Sequence, residues 1–265
     1  MIIDSHCHVS PIWYEPVEVL LHQMDRNGVA QAVLIQMLGQ FDNSYQQNCL
    51  QHHAGRFASV IAVDPARSDA LVQLRRLADD GASGLRLRPT ARSSSDDPLA
   101  IWRAAESLGL PISCVGNTAS FSTAEFARLI ESVPNLVLVL EHLGGTSTPD
   151  ATEEALTARR QVFELARYPN VYLKLPGLGE LVPRSPQLPA EGCPFEPSPA
   201  IVHQALECFG AARLMWGSDF PPVATREGYA NALRWCREAL ADAPRQAQAA
   251  IFGGNAQRIF KLPTA

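Results

Sequence analysis

The chain opens with MIIDSHCH (residues 1–8), an apolar start that leads into a His-x-His pair. A short apolar run of this kind predicts a buried β-strand, and His6 and His8 come at its carboxyl end. Side chains two residues apart on a strand point to the same face, so the two imidazoles can converge on one point. The stretch therefore predicts a first strand that ends in a functional site.

Seven more runs with strand character follow, and amphipathic helical patterns separate them. Ser122, with Glu125 three residues later, predicts a capping box at the start of one helix. The predicted strands are residues 1–8, 30–36, 57–63, 83–89, 111–116, 136–142, 170–175 and 213–219, and the predicted helices include residues 15–28, 69–81, 98–110 and 122–135.

Strand–helix alternation of this kind calls for a parallel sheet with helices outside it. Eight rounds in about 250 residues fit a (β/α)8 TIM barrel, so we predict an α/β protein in which residues 1–265 form a single barrel domain. A doubly wound sheet is the alternative, but it usually has five or six strands and a glycine-rich first turn. The first turn here, HCHVSPIWYEP (residues 6–16), contains no glycine.

The composition is that of a soluble globular enzyme, with 46% hydrophobic and 18% charged residues. A formal net charge of −5 gives none of the overall positive charge that is typical of proteins that bind nucleic acid or an anionic membrane. The purest apolar run, LVLVL (residues 136–140), is too short to cross a bilayer, and the start lacks a signal-peptide pattern. The six cysteines form no Cys-x-x-Cys pair, so we expect reduced thiols and a cytoplasmic protein. The oligomeric state stays open, and a homo-oligomer is compatible with the sequence.

Ionisable residues gather at the carboxyl ends of several predicted strands, where a TIM barrel carries its active site. Strands two and three end in Gln36 and Asp64 and add no candidate site residue. A purely structural sequence would have little reason for this distribution. The residues are His6 and His8 on strand one, Arg86 and Arg88 on strand four, Glu141 and His142 on strand six, Lys174 on strand seven and Asp219 on strand eight.

His6, His8 and Asp219 are the first candidates for metal binding and catalysis. Neutral imidazole suits zinc and similar divalent metals, and a carboxylate can bind the same ion or act as a general base. His142 is a further candidate, as a ligand or as an acid that polarises a substrate carbonyl. The alternatives are hydrogen-bonded structural histidines and an aspartate that caps the following turn.

Arg86 and Arg88 share one face of strand four, and a buried guanidinium requires an anion. A substrate carboxylate is one such partner, and an internal acid such as Glu141 is the alternative. Lys174 is either a second contact for the substrate anion or a surface residue. A small anionic molecule is therefore the expected partner.

Two further segments border the predicted pocket. Trp13 and Tyr14, just past the histidine pair, are candidates for one wall. Residues 176–199 follow strand seven and hold seven of the chain's 20 prolines. A long loop at this end of a barrel predicts a lid, with a disordered tether as the alternative.

Several motifs together resemble the amidohydrolase superfamily, in particular its amidohydrolase-related branch. The resemblance covers nearly the whole chain and implies a (β/α)8 barrel with hydrolytic or decarboxylating chemistry at the strand ends. The members that the chain most resembles are lactonases for pyrone-dicarboxylate, sulfomuconolactone and sugar lactones. The motifs are DSHCH (4–8), LEHLGG (140–145) and WGSDFP (216–221), supported by GLRLRP (84–89), NVYLKLPGL (170–178) and IFGGNAQRIFKL (251–262).

The chain departs from this family at the end of strand five. The family usually has a metal-binding histidine there, whereas this chain reads CVG at residues 114–116. The implied site for a divalent metal, zinc by expectation, is therefore His6, His8 and Asp219. His142 or a thiolate from Cys114 would add to it, and some lactonases of this branch work without a metal.

We therefore predict a hydrolase for a small, carboxylate-bearing cyclic ester. Asp219 takes a proton from water, the three strand-end histidines polarise the carbonyl directly or through a metal, and the strand-end cations hold the substrate anion. A metal-dependent decarboxylase of an aromatic or unsaturated acid is the alternative. A barrel that only binds its ligand is a third hypothesis, which Asp219 disfavours.

Overall fold

The structure is a computed structural model that describes residues 1–146, 152–181 and 200–264. Eight parallel strands form one sheet, and strands that follow one another in sequence are hydrogen-bonded neighbours. They are β1 (Ile2–Cys7), β2 (Val29–Ile35), β3 (Phe57–Ile61), β4 (Gly84–Leu87), β5 (Ile112–Cys114), β6 (Leu138–Leu140), β7 (Val171–Leu175) and β8 (Leu214–Trp216).

The sheet closes on itself through backbone hydrogen bonds just beyond β8. The Asp219 N–H donates to the His6 carbonyl oxygen at 2.9 Å, and the His8 N–H donates to the Phe220 carbonyl oxygen at 2.7 Å. The first strand therefore runs beside the continuation of the last. The predicted (β/α)8 barrel is confirmed, and each predicted strand has its counterpart.

Helices lie in the connections and bury apolar stripes against the sheet. The first helix buries Val17, Leu20 and Met24, which are three or four residues apart. Gly28 follows it with φ 66°, a left-handed conformation that glycine adopts without strain. The helices are α1 (Val17–Arg26), α2 (Ser44–His52), α3 (Ala70–Asp79), α4 (Ala100–Ser107), α5 (Thr118–Phe121), α6 (Ala124–Ser132), α7 (His142–Gly145), α8 (Glu153–Glu164), α9 (Leu178–Leu181), α10 (Ala200–Phe209), α11 (Tyr229–Ala239), α12 (Arg245–Ala249) and α13 (Asn255–Ile259).

Two apolar clusters hold these layers together. The larger cluster joins the strands to the surrounding helices, and the smaller one joins strand residues to the C-terminal segment. Lys174 Nζ lies 5.6 Å from the centroid of the Phe260 ring, so a strand-end cation rests on this smaller cluster. Members of the smaller cluster include Ile3, Val33, Val60, Val139, Met215 and Phe260.

The N-cap of α6 is Thr123, and the prediction of Ser122 is wrong by one residue. The Thr123 hydroxyl oxygen accepts a hydrogen bond from the Phe126 N–H at 3.1 Å. Ser122 is instead the C-cap of α5, because residues 118–121 form a short helix of their own. Glu125 forms an ion pair with Arg92.

The predicted lid at residues 176–199 is only partly within the described chain. Residues 176–181 continue from β7 and include α9, whereas residues 182–199 lie outside the described residues. Among the helices that the structure describes, none has the length and apolar character needed to span a membrane.

Candidate active site

Two strand ends bring three of the predicted catalytic groups together at the carboxyl end of the barrel. His6 Nε2 lies 3.1 Å from His8 Nε2. Asp219 Oδ1 lies 3.7 Å from the His6 nitrogen and 3.5 Å from the His8 nitrogen. All three residues are buried. The imidazoles and the acid thus surround one point, and we call this arrangement the catalytic triangle.

The backbone of β1 and the loop after β8 fix the catalytic triangle. Asp4 Oδ1 accepts hydrogen bonds from the His6 N–H at 3.1 Å and the Ser218 N–H at 2.8 Å. Gly217 lies so close to His6 that a Cβ on it would be 2.6 Å from His6 Cβ. Asp219 has φ 58°, a left-handed conformation whose strain is typical of functional sites.

Hydrogen bonds determine where the protons of the two imidazoles lie. His8 Nδ1 lies 2.7 Å from the Ile35 carbonyl oxygen and donates to it, so a neutral ring has its lone pair on Nε2. His6 Nδ1 lies 3.1 Å from Lys174 Nζ, and an ammonium there favours the His6 proton on Nε2. Burial, followed by the charge of Lys174, holds the pKa of His6 well below its usual range, so the ring is neutral.

His142 follows β6 and begins a turn with left-handed backbone. Its φ is 50°, and a Cβ on Gly145, where φ is 71°, would lie 2.5 Å from Asn117 Cα. The turn holds the His142 ring centroid 5.0 Å from that of His6. His142 Nδ1 lies 2.8 Å from Glu180 Oε1. Burial lowers the pKa of His142, but the hydrogen bond and charge of Glu180 outweigh burial and raise it above its usual value.

Asp219 stays ionised because positive charge surrounds it. Arg226 Nη1 lies 3.3 Å from Asp219 Oδ2 and 3.3 Å from Glu180 Oε2. Burial raises the pKa of Asp219, but the neighbouring His8 imidazole and the charges of His142 and Arg226 outweigh it, so the pKa lies below its usual value. The acid is therefore a carboxylate at neutral pH, as a general base must be.

Arg86 is hydrogen-bonded within the protein. Its Nε and Nη2 donate to Glu141 Oε1 at 3.1 Å and Oε2 at 2.7 Å, and its Nη1 donates to the Gln36 carbonyl oxygen at 2.9 Å. Burial raises the pKa of Glu141, but the charges of Arg86 and Lys174 outweigh burial and lower it to about 2. The structure thus has the internal pairing that the sequence leaves open as the alternative to substrate binding.

Lys174 is buried as well, which excludes a surface position. Its Nζ donates to Ser113 Oγ at 2.9 Å, and Ser113 Oγ donates to Glu141 Oε1 at 2.6 Å. Burial lowers the pKa of Lys174 to about 8. Among the three predicted anion contacts, Arg88 alone is exposed, and it lies on the wall of a cavity of about 370 Å³.

Trp13 and Tyr14 lie beside the catalytic triangle. The centroid of the Tyr14 ring is 5.7 Å from that of His8, and Trp13 stacks on Tyr14 with centroids 4.6 Å apart. The Trp13 side chain is largely exposed. The two rings therefore have the position that a pocket wall requires.

The sequence reasoning misses Ser113, Glu180 and Arg226. Ser113 was recoverable from strand periodicity, because its hydroxyl reaches the site while the next residue, Cys114, packs in the larger apolar cluster. Burial raises the pKa of Cys114 well above its usual value, so the expected thiolate ligand is not available. Glu180 and Arg226 lie in α9 and in the connection after β8, where no strand pattern marks them.

The catalytic triangle fits a divalent metal. Ligand atoms of a tetrahedral zinc site lie about 3.4 Å apart, and the three separations here are 3.1, 3.5 and 3.7 Å. His8 offers its Nε2 lone pair, and an ion would replace the His6 proton between the two rings. Within the described chain, two other groups have potential ligand atoms within 4.8 Å of one another, His6–Glu141–His142 and His142–Glu180–Asp219.

Comparison with known proteins agrees with this architecture. The model of a protein family described as amidohydrolase matches residues 3–262. An L-fucono-1,5-lactonase from Burkholderia ambifaria is 28% identical over 251 residues, which are 89% of this chain and 82% of that protein.

Two solved structures share the fold. An amidohydrolase from Burkholderia multivorans with bound zinc has a TM-score of 0.77 and 20% identity, over 99% of this chain and 100% of that one. A 5-carboxyvanillate decarboxylase from Sphingomonas paucimobilis has a TM-score of 0.65 and 17% identity, over 99% of each chain.

Proposed function

The chain belongs to the amidohydrolase family, and we propose that it hydrolyses a small lactone that carries a carboxylate or a similar anion. The observation that carries the proposal is the catalytic triangle, in which an ionised acid lies 3.5 and 3.7 Å from two imidazole nitrogens. The 28% identity to a lactonase supports a cyclic ester as the substrate. The likeness to a decarboxylase, at 17% identity, supports the fold alone.

In the proposed reaction, Asp219 accepts a proton from water while the water oxygen attacks the lactone carbonyl carbon. His142, whose raised pKa favours the protonated ring, donates a hydrogen bond to the carbonyl oxygen as negative charge develops there. The bond to the ring oxygen then breaks, and the His142 proton goes to that oxygen. The product is a hydroxy acid; the proton on Asp219 leaves to solvent, and His142 takes up a proton from solvent, which restores both groups.

We propose zinc as the ion of this site, held by His6, His8 and Asp219. His142, the further predicted ligand, has the role of the acid in this proposal, because a protonated imidazole cannot bind a metal. A bound zinc ion supplies a Lewis acid and lowers the pKa of water. Elemental analysis of the purified protein tests this, with about one equivalent expected per chain. Full lactone hydrolysis by protein without metal would contradict the zinc proposal and leave the hydrolysis itself intact.

Arg88 is the proposed direct contact of the substrate anion, because its side chain is exposed on a cavity wall. Arg86 and Lys174 have protein partners and share the single carboxylate of Glu141. One positive charge is therefore left over, and the proposed contribution of this group is a positive potential beneath the substrate. Trp13 and Tyr14 are the proposed wall next to His8.

A screen of lactones with a pH indicator, with and without chelator, tests the proposed function. Asp219→Asn is expected to lower kcat by about 100- to 10,000-fold, because a general base contributes this much. Its melting temperature should stay near that of the wild type. Asp79→Asn, which changes an exposed acid at the last residue of α3, is the matched control. A near-normal rate for Asp219→Asn would refute the base assignment, and carbon dioxide release from an aromatic acid would favour the decarboxylase alternative.

We also propose a cytoplasmic location. The support is that cysteines 7, 49, 114, 208 and 236 are free thiols, as is usual in a reducing compartment.

A further inference from the structure

We propose that the substrate of this site is a lactone with an apolar arm that ends in one carboxylate, rather than a polyhydroxylated sugar lactone. The inference rests on the proposed lactone hydrolysis and on the cavity of about 370 Å³ beside the site. We call it the β2–β4 cavity, since the connections after β2, β3 and β4 line it. Its volume is that of a site for a small molecule.

Arg86 lies between the β2–β4 cavity and the catalytic centre. Arg86 lines the cavity, and the same guanidinium bonds to Glu141, the residue before His142. The opposite side of the mouth is filled, because Arg226 and Glu180 close over Asp219 and His142 there. A lactone held between Asp219 and His142 therefore has room for a substituent on the β2–β4 side.

The lining of the β2–β4 cavity is mostly apolar. A substituent with several hydroxyl groups would lose water there and find few hydrogen-bond partners, which disfavours a sugar. An alkyl or aryl arm would instead bury apolar surface. The apolar side chains that line the cavity include Leu38, Phe41, Val63, Pro65 and Leu87.

Exposed apolar side chains cluster at the same end of the barrel. Within the described chain, five large apolar side chains are exposed, and three of them lie in the connections after β1 and β2. Exposed apolar residues that cluster in this way are typical of a binding site. These three are Ile12, Trp13 and Phe41.

Arg88 defines the charged end of the substrate. Its guanidinium has no hydrogen-bond or ion-pair partner among the residues that the structure describes, whereas Arg86 already bonds to Glu141 and Gln36. A single free guanidinium on an apolar wall matches a single carboxylate, which it can hold with two parallel hydrogen bonds. The cavity thus selects both the arm and the charge at its end.

The test compares three probes with the purified full chain. They are a δ-lactone with a four-carbon carboxyalkyl side chain, the methyl ester of that side chain, and L-galactono-1,5-lactone. We expect kcat/KM to be highest for the carboxyalkyl lactone, about 10-fold lower for its ester and about 100-fold lower for the sugar lactone.

Two substitutions locate the effect in the β2–β4 cavity. Arg88→Met should raise KM for the carboxyalkyl lactone about 10- to 100-fold and leave the ester unchanged. Val63→Asn should weaken the binding of both alkyl probes, because it places a polar group on the apolar wall. Arg75→Met, which removes an exposed arginine on the outer face of α3, is the matched control.

The outcomes separate this inference from the proposed function. A sugar lactone that is hydrolysed faster than the alkyl probes, or an unchanged preference in Arg88→Met, overturns the inference and leaves lactone hydrolysis standing. Should no lactone react, the proposed function fails, and calorimetry with a lactam that carries the same carboxyalkyl arm then tests the cavity alone. Weaker binding of the lactam to Arg88→Met than to the wild type would support the cavity assignment. Equal binding to the variant and the wild type would overturn it.

Discussion

The Arg86→Met substitution is expected to destabilise the fold before it changes substrate binding. The Arg86 guanidinium donates two hydrogen bonds to Glu141 and one to the Gln36 carbonyl oxygen, and both ionic side chains are buried. Methionine keeps the length of the side chain and removes the charge. The Glu141 carboxylate is then left with Ser113 and the charge of Lys174.

Two arguments give the size of this effect. Removing one partner of a buried ion pair costs about 3–5 kcal/mol, because the remaining charge is uncompensated. The pKa of Glu141 falls from 4.5 to about 2 on folding, which corresponds to about 3 kcal/mol of favourable interaction with the ionised form. A loss of about 4 kcal/mol in the free energy of unfolding should lower the melting temperature by about 10 °C.

The sign of the pH dependence follows from the same pair. Because the folded-state pKa of Glu141 is depressed, its contribution to stability is present above pH 4.5 and is lost as pH falls towards 2. Wild-type stability should therefore decline across this window, and the part of the decline due to Glu141 should shrink in Arg86→Met.

Urea unfolding at pH 7, together with KM for an anionic lactone, tests the reasoning. Arg103→Met, which breaks an exposed pair with Asp97, is the control and should cost far less stability than Arg86→Met. The double variant Arg86→Met/Glu141→Leu should recover part of the lost stability, since the uncompensated carboxylate is gone. An Arg86→Met protein with wild-type stability and a KM raised about 100-fold would make Arg86 a substrate anchor and refute the structural role.

Two further variants test the His142 side of the site. Glu180→Gln removes the charge that raises the pKa of His142, so the loss of activity at alkaline pH should begin at a lower pH in the variant's pH–rate profile. An unmoved alkaline limb would count against His142 as the acid. Gly145→Ala should lower the free energy of unfolding by about 2–5 kcal/mol, because its Cβ would meet Asn117 Cα in a left-handed backbone. Gly81→Ala is the control, because φ is also positive there and nothing lies within 4 Å of the added Cβ. It should lose only the stability that the left-handed backbone costs. Equal losses of unfolding free energy in the two variants, measured by urea unfolding, would refute the steric argument.

Strand periodicity carries the prediction of the barrel and of the catalytic triangle. His6 and His8 are two residues apart on one strand, so their convergence follows from local geometry. The predicted sixth strand, residues 136–142, is too long, because His142 leaves the sheet and enters a left-handed turn. Backbone of that kind depends on the two glycines that follow and on their contacts with distant residues, which no local pattern encodes.

For the same reason, the sequence could not show which of the two strand-four arginines pairs with an internal acid. Arg86 and Arg88 are identical in type and have the same parity on one strand, yet Glu141 neutralises the first and leaves the second exposed. The two arginines differ in how deep they lie in the barrel. Arg86 is within β4 and reaches Glu141 just after the end of β6, whereas Arg88 lies beyond the end of β4.

The groups that support the site lie deeper in the barrel than the groups that are proposed to carry out the reaction. The deeper groups, Arg86, Glu141, Ser113 and Lys174, hydrogen-bond to one another. Such a network resists movement, because any shift would leave a buried charge unpaired. Asp219 and His142, the two groups proposed to move protons, instead have strained left-handed backbone. Strain of that kind persists only where the surroundings fix the backbone. For Asp219 the hydrogen bond of its N–H to the His6 carbonyl oxygen does so, and for His142 the network holds the preceding residue, Glu141.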